Sequence, residues 1–183
     1  MLQINVSQQL KSPIGSIRDY GVSEIVDIAD SSSLVQGDIR LMRTDRSILA
    51  KGKLRTEIER TCSRCLDLFN CPLTLNIEEE YFPITDMFTG ALLPLPDEPG
   101  CFTITENNIL DLTEAIRQYA LLTTPMKPLC REDCAGLCST CGGNLNQAPC
   151  NCPTEPVDSR WSKLSKLFLV DSEAPVNEWK GTN

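Results

Sequence analysis

The cysteines are the residues of this chain whose types and spacing could do chemistry. Six of the ten cysteines lie in residues 130–152, which read CREDCAGLCSTCGGNLNQAPCNC, and the 183-residue chain contains no histidine. Thiols concentrate in this way for three reasons: disulfide bonding, thiol redox exchange, or metal binding by thiolates. The spacing of the cysteines and the rest of the sequence indicate which of the three applies.

The spacing within this segment favours a metal. Cys138 and Cys141 form a CxxC pair followed by two glycines, and glycine admits the tight turn of a metal knuckle. Cys150 and Cys152 can supply the other two ligands. Zinc prefers four tetrahedral thiolates, and without histidine such a site must be all cysteine. The sequence therefore predicts Zn²⁺ on these four residues, with Cys134 as the strongest substitute.

A second CxxC pair, Cys62 and Cys65, follows a predicted strand. A single CxxC is equally typical of half a zinc site and of a redox pair. Together with Cys130 and Cys134 it would make a second site of four thiolates. The sequence leaves open whether the chain binds one metal ion or two, and which cysteines hold each ion.

Other thiol chemistries are less compatible with the chain. Cys134, Cys138 and Cys141 have the CxxxCxxC spacing of radical enzymes with a four-iron cluster, but only 42 residues follow Cys141, too few for the barrel those enzymes need. Catalytic CxxC pairs begin helices, whereas Cys62 follows a strand. The isolated Cys71 and Cys101 are expected to be small buried side chains.

The composition is that of a globular protein, with 41% hydrophobic and 23% charged residues. The first residues do not resemble a secretory signal, and no apolar run is long enough to span a membrane. We therefore expect a cytoplasmic protein, where structural disulfides are rare. No phosphate-binding glycine loop is present, so we expect neither a small-molecule substrate nor enzymatic activity.

Charge is divided unevenly along a chain whose net charge is −8. Residues 40–64 contain eight basic and three acidic residues, whereas residues 66–114 contain ten acidic residues and no basic one. One surface could therefore be positive on an acidic protein. Lysine and arginine on exposed strands also simply discourage aggregation at sheet edges.

The N-terminal part alternates apolar and polar residues, as strands do. Residues 34–81 predict an antiparallel meander, with further strands at residues 22–28 and at the start of the chain. Asp111 is the predicted N-cap of a helix, whose buried stripe reads Leu112, Ala115, Ile116, Tyr119 and Leu122. Residues 83–100 predict a loop, and a short amphipathic helix is predicted from Asp158.

The predicted fold is α+β and β-rich: an antiparallel twisted sheet or partly closed barrel, one covering helix and a C-terminal zinc-knuckle tail. The expected organisation is a β-rich domain over residues 1–125, a cysteine-rich zinc-binding segment with a short helix over residues 126–170, and a frayed tail over residues 171–183.

The chain resembles the YceD family, named for large ribosomal RNA subunit accumulation and also called DUF177. The resemblance runs through CSRCL at residues 62–66, the DLTEAIRQ helix, PMKPLC, GLCSTCGGNLN, the CNC pair and DSRWSKL. Residues 125–164 carry its most specific part. Many members of the family have the cysteine tail and others lack it, whereas the pair at residues 62 and 65 is more widespread.

The resemblance implies a β-rich domain in bacteria or plastids, without known enzymatic activity, that supports 23S rRNA processing and accumulation. The partner would be the 23S rRNA precursor or a large-subunit ribosomal protein. The alternatives are a zinc-stabilised protein-interaction module and a thiol redox protein. If RNA is the partner, lysine and arginine are expected to contact phosphates. The candidates in the basic region are Arg40, Arg43, Arg46, Lys51, Lys53 and Arg55.

Overall fold

The computed structural model describes residues 2–28, 31–96 and 100–153 of the chain. In these residues it forms one seven-stranded sheet, curved into a half-barrel, and two helices. The strands are β1 (Gln3–Asn5), β2 (Ile17–Ile28), β3 (Ser31–Arg43), β4 (Ile48–Thr61), β5 (Leu68–Pro83), β6 (Phe102–Ile104) and β7 (Ile109–Asp111). The helices are α1 (Ser7–Lys11) and α2 (Thr113–Thr123). The predicted α+β, β-rich class is confirmed.

The strands β3 to β5 form the antiparallel meander predicted over residues 34–81, and β2, predicted as a further strand at residues 22–28, pairs with β3 and begins at Ile17. Their alternation puts one set of side chains into the core and the other set into solvent, as the period-two pattern predicted. On β4, Ile48, Ala50 and Leu54 are fully buried, while Lys51 and Lys53 are exposed. Register is therefore fixed by burial, because a slip of one residue would expose the whole apolar set.

Helix α2 covers the inner face of the sheet, where it contacts β5 and β2. Two details of its prediction were wrong. The N-cap is Leu112, one residue later than predicted, because Asp111 ends β7 and accepts a hydrogen bond from the Thr113 amide instead. Leu122 is 81% exposed, because the helix turns Ala120 rather than Leu122 toward the core.

The short elements α1, β6 and β7 were not predicted. Strands β6 and β7 have three residues each, too few for a periodic signal, and β6 pairs with β5 in parallel. The loop predicted over residues 83–100 begins one residue later than predicted, because Pro83 ends β5; residues 84–96 contain no named strand. The helix predicted from Asp158 and the tail over residues 171–183 lie outside the described residues. No helix in the described ranges is long and apolar enough to cross a membrane.

The sheet divides where β3 meets β4. The two strands pair from Arg43 with Ile48 as far as Gln36 with Arg55, and their pairing stops there. Beyond that point Ser31–Val35 pair with β2, and Thr56–Thr61 pair with β5. We call this divergence the fork. Next to it, Gly37 comes so close to β4 that a Cβ at residue 37 would lie 2.2 Å from the Lys53 carbonyl oxygen.

Candidate metal centres

Four cysteine sulfurs from two distant parts of the chain meet at the end of the β4–β5 hairpin. Cys62 and Cys65 come from the hairpin loop, and Cys130 and Cys134 come from the segment after α2. All four ligand atoms lie within 4.8 Å of one another. We call these residues the hairpin group.

The sulfur separations of the hairpin group fit a bound metal. The Cys62 and Cys134 sulfurs are 3.8 Å apart, and the Cys65 and Cys130 sulfurs are 3.7 Å apart. A tetrahedron with zinc–sulfur bonds of about 2.3 Å has edges of about 3.8 Å. Disulfide sulfurs are bonded at about 2.05 Å, and all four thiols here are free. The group could therefore hold one tetrahedral metal ion.

The hairpin loop itself has the backbone of a metal knuckle. The Leu66 amide donates to the Cys62 carbonyl at 3.0 Å, and the Cys62 amide donates to the Asp67 carbonyl at 2.9 Å. The Arg64 amide points at the Cys62 sulfur at 3.5 Å. The turn requires a positive φ of 62° at Leu66. These bonds aim the sulfurs of the CxxC pair at one point.

Docking of the C-terminal segment on this loop completes the hairpin group. The Ser63 amide donates to the Pro128 carbonyl at 2.8 Å, and the Arg64 guanidinium donates to the Cys134 carbonyl at 2.9 Å. Phe69 and Leu129 pack against the buried cysteines, and Phe69 also packs against the main core. The site therefore joins the segment after α2 to the sheet.

Two asparagines that the sequence analysis did not select hold this arrangement. Asn146 donates to the Cys134 sulfur at 3.3 Å and accepts a hydrogen bond from the Ala135 amide at 2.8 Å. Asn144 donates to the Asp67 carboxylate at 2.6 Å. Side chains that hydrogen-bond to the ligands of a metal site orient the ligand atoms. The available signal was their place in GGNLN, directly after a knuckle, where asparagine is typical of turns.

Backbone amides and burial shift the pKa values of the hairpin-group thiols in opposite directions. The Cys65 amide hydrogen-bonds the Cys62 thiolate and, against the effect of burial, lowers the pKa of Cys62 to about 6. The Asp67 amide favours the Cys65 thiolate, but burial and the neighbouring thiols outweigh it and raise the pKa of Cys65 to about 12. Burial opposes the Cys134 thiolate, yet the Asn146 amide helps to lower its pKa. A metal ion would favour the thiolate form of all four.

A second group, which we call the tail group, consists of the remaining four cysteines of residues 130–152. They are Cys138, Cys141, Cys150 and Cys152. Their sulfurs also lie within 4.8 Å of one another, so this group too could hold a metal ion. It differs from the hairpin group in exposure, because Cys141 and Cys150 are exposed whereas Cys62, Cys65 and Cys134 are buried. All its ligands come from one short segment.

The tail group begins with a second knuckle of the same design. The Gly142 amide donates to the Cys138 carbonyl at 2.9 Å, and the Cys138 amide donates to the Gly143 carbonyl at 2.8 Å. The Thr140 amide again points at the first sulfur, at 3.4 Å. The residue after the second cysteine has a positive φ of 71°, here at a glycine. The amides of Cys141 and Thr140 lower the pKa of Cys138 to about 6.

All the cysteines predicted as metal ligands lie in one of these two groups. Cys134 belongs to the hairpin group, whereas Cys138 and Cys141 belong to the tail group, so the CxxxCxxC spacing does not converge on a single cluster. Cys71 is buried in the core as expected, while Cys101 is only half-buried. The tail group contains the four cysteines that were the first choice of ligands. The hairpin group contains the four that were named as a possible second site.

The basic residues of the central strands do not form a continuous positive face. Arg40 pairs with Asp19 across β2 and β3, with 2.7 Å between nitrogen and oxygen. Lys51 pairs with Glu78 across β4 and β5 at 2.6 Å. Acidic and basic side chains therefore alternate across the exposed outer face, where such pairs contribute little to stability.

The other candidates divide into engaged and unpaired residues. Arg43 donates to the Ser47 carbonyl at 3.0 Å, and Arg46 lies 3.7 Å from Asp45 in the β3–β4 turn. Two candidates make neither an ion pair nor a side-chain hydrogen bond with any described residue. They are Lys53 and Arg55. Both are exposed on the outer face of β4.

Comparison with known proteins identifies the class of this β-rich chain and its cysteine groups. The profile of the family described as large ribosomal RNA subunit accumulation protein YceD matches residues 50–168. That range contains all but the first two residues of β4, all of β5 and α2, and both cysteine groups. The chain belongs to the YceD family.

The chain is similar to curated proteins from mycobacteria and from a plant. An uncharacterized protein of Mycobacterium tuberculosis is 27% identical over 151 residues, covering 79% of this chain and 67% of the relative. One from Mycobacterium leprae is 25% identical over 162 residues, covering 88% and 71%. The Arabidopsis thaliana protein named large ribosomal RNA subunit accumulation protein YCED homolog 1, chloroplastic, is 33% identical over 58 residues, covering 32% and 18%. No solved structure matches the chain significantly.

Proposed function

We propose that the chain is a non-enzymatic factor of ribosome biogenesis that supports 23S rRNA accumulation by binding large-subunit precursors in the cytoplasm, with Zn²⁺ in both cysteine groups. The observation that carries the proposal is the family match over residues 50–168. The family is named for large ribosomal RNA subunit accumulation, and the match spans the sheet from β4 to β7 as well as the cysteine groups.

The chemistry of the cysteine groups supports zinc in a structural role. Each group offers four thiolates, and the chain has no histidine to replace one. Four-thiolate zinc sites are closed, so no coordination position remains for a substrate. Zinc also has no redox chemistry of its own. Both properties support a binding protein over a metalloenzyme.

Thiol redox catalysis has weaker support. Reactive thiols combine a lowered pKa with partial exposure. Cys62 has the lowered pKa, but its relative exposure is 0%. Cys138 is better exposed, yet its pKa is lowered by the backbone amides of a knuckle that also aims its sulfur at the tail group. The geometry supports metal binding at both thiols.

The unpaired basic side chains on β4 support contact with RNA. Lys53 and Arg55 lie on the same face of one strand, two residues apart, and so project side by side. Phosphate contacts of this kind give affinity that depends on salt and little on sequence. Lys51 is less available because it pairs with Glu78.

Charge reversal of Lys53→Glu and Arg55→Glu together is expected to weaken association with large-subunit precursors by about tenfold or more, because two phosphate contacts become repulsions. The slope of log affinity against log salt should fall by about 1.5 to 2. Sedimentation of the variant with precursor particles at several salt concentrations measures both effects.

The matched control is Lys11→Glu with Lys127→Glu, which changes net charge equally at two exposed positions outside the sheet face. The control should sediment with the particles as the original chain does. If the test variant also sediments normally, β4 is not the RNA contact. The second candidate partner is then favoured: a basic ribosomal protein, for which the exposed Glu57 and Glu59 offer complementary charge.

A further inference from the structure

The fork between β3 and β4 leaves two strand edges facing each other. Within the described residues, Ser31–Val35 pair only with β2, and Thr56–Thr61 pair only with β5. Each segment therefore carries backbone amide and carbonyl groups on its fork side without a strand partner. Native proteins usually cover or blunt such edges because they are templates for pairing with another chain.

Between the two edges lies a cleft of about 680 Å³, bordered by Ser33 and Leu34 on one side and by Thr56 and Glu57 on the other. This volume is within the range of about 300 to 1,000 Å³ that ligand sites occupy. The last β3–β4 pair, Gln36 with Arg55, bounds the cleft at one end. The cleft therefore lies where the two strands have separated.

A buried polar atom inside the cleft has no partner. Thr56 is only 4% exposed, yet its hydroxyl oxygen makes no hydrogen bond among the described residues. Buried polar atoms without a partner destabilise the folded state, so they are uncommon. Thr56 lines the cleft, and a ligand entering it could supply the missing hydrogen bond.

We propose that the fork binds an extended basic peptide segment of a partner protein, which pairs as an additional strand with β3 or β4. This mode of recognition uses main-chain hydrogen bonds for affinity and alternate side chains for specificity. The proposal rests on the fork alone and does not depend on the proposed ribosomal function.

The side chains around the fork define the sequence of the peptide. On the outer face, the open part of the cleft presents Glu57 and Glu59, both exposed and without an ion pair among the described residues. Opposite charges attract across neighbouring strands, so alternate peptide side chains should be lysine or arginine. On the inner face, Ser33, Thr56 and Ile58 favour small or β-branched residues. The peptide should alternate basic with small apolar residues.

The test measures binding of a fluorescent peptide of about eight residues, lysine alternating with valine, to the full chain. We expect saturable binding and slower amide hydrogen exchange at Ser31–Val35, at Thr56–Thr61, or at both. The same peptide with N-methyl groups on alternate amides should bind at least about tenfold more weakly, because it cannot form the ladder. A glutamate–valine peptide should not bind.

A charge swap provides the second arm. Glu57→Lys with Glu59→Lys should weaken binding of the lysine peptide by about tenfold and allow the glutamate peptide to bind. The matched control, Asp45→Lys with Glu106→Lys, makes the same change in net charge at exposed residues outside the fork and should leave binding unchanged.

Three outcomes would overturn the proposal. Equal binding of the N-methylated peptide would show that charge, not strand pairing, attracts the peptide. Slow amide exchange at both edges in the free chain would show that the fork is already covered. If the exchange rate does not depend on protein concentration, residues 154–183 cover the fork; if it does, a second copy of the chain covers it. Protection of these amides by single-stranded RNA but not by the peptide would assign the cleft to nucleic acid.

Discussion

Replacing Cys62 by serine is expected to remove one of two bound zinc ions and to lower the unfolding midpoint by about 10 °C. The hairpin group joins the β4–β5 loop to the segment after α2, and ions that bind only the folded state stabilise it by mass action. Cys62 is also packed with Cys65, Cys134 and Phe69. Metal content by elemental analysis and thermal unfolding followed by circular dichroism measure the two effects.

The matched variant is Cys138→Ser, which makes the same chemical change in the tail group. It should also remove one zinc ion but leave the melting of the sheet nearly unchanged, because all four ligands of that group lie within residues 138–152. We expect the hairpin group to join the C-terminal segment to the sheet and the tail group to order residues 138–152 alone. Equal loss of sheet stability in both variants would contradict this difference.

Replacing Gly37 by alanine is expected to destabilise the sheet by about 3 kcal/mol or more. The added Cβ would lie 2.2 Å from the Lys53 carbonyl oxygen and 3.0 Å from the Leu54 Cα, both backbone atoms that cannot move without breaking the β3–β4 ladder. The φ of 150° at Gly37 is also unfavourable for alanine. Equilibrium unfolding in urea measures the loss.

Gly21→Ala is the control on the neighbouring strand. Its Cβ would meet only the Asp38 carboxylate, at 4.0 Å, and its φ is not positive, so the free energy of unfolding should change by less than about 0.5 kcal/mol. If Gly37→Ala were equally mild, the close approach of β3 and β4 beside the fork would be wrong.

The meander and the main helix could be predicted because their signals are periodic. Each of the strands β2 to β5 has at least twelve residues, and burial of one face fixes which side chains turn inward. The strands β6 and β7 escaped prediction because three residues do not show a period, and their pairing depends on distant partners. Asp111 looked like an N-cap because aspartate is a preferred N-cap residue, but pairing with β1 makes it the last residue of β7.

The sequence could predict which cysteines form each group, but not how the groups connect parts of the fold. Spacing alone suggested that residues 138–152 could supply one site and that Cys62 and Cys65 could share a second with Cys130 and Cys134. Sequence could not show that the second site joins two distant segments, since docking depends on contacts such as the Asn144 hydrogen bond to Asp67. Nor could it show the fork, because strand divergence leaves the alternation of each strand intact.

The basic region shows a different limit of sequence reasoning. Residues 40–64 carry a local excess of positive charge, yet the sheet brings acidic residues of other strands beside them. Asp19 reaches Arg40 from β2, and Glu78 reaches Lys51 from β5. Charge along a chain thus predicts charge on a surface only where the neighbouring strands are known.

We propose that the two four-cysteine groups each hold one zinc ion, and that the two ions have different structural roles. Native mass spectrometry of the full chain, purified without chelator, tests it most directly. We expect a mass increase corresponding to two zinc ions, one zinc ion in each of the variants Cys62→Ser and Cys138→Ser, and none in the double variant. A chain that carries no metal, or that loses both ions when either cysteine is replaced, would contradict the account.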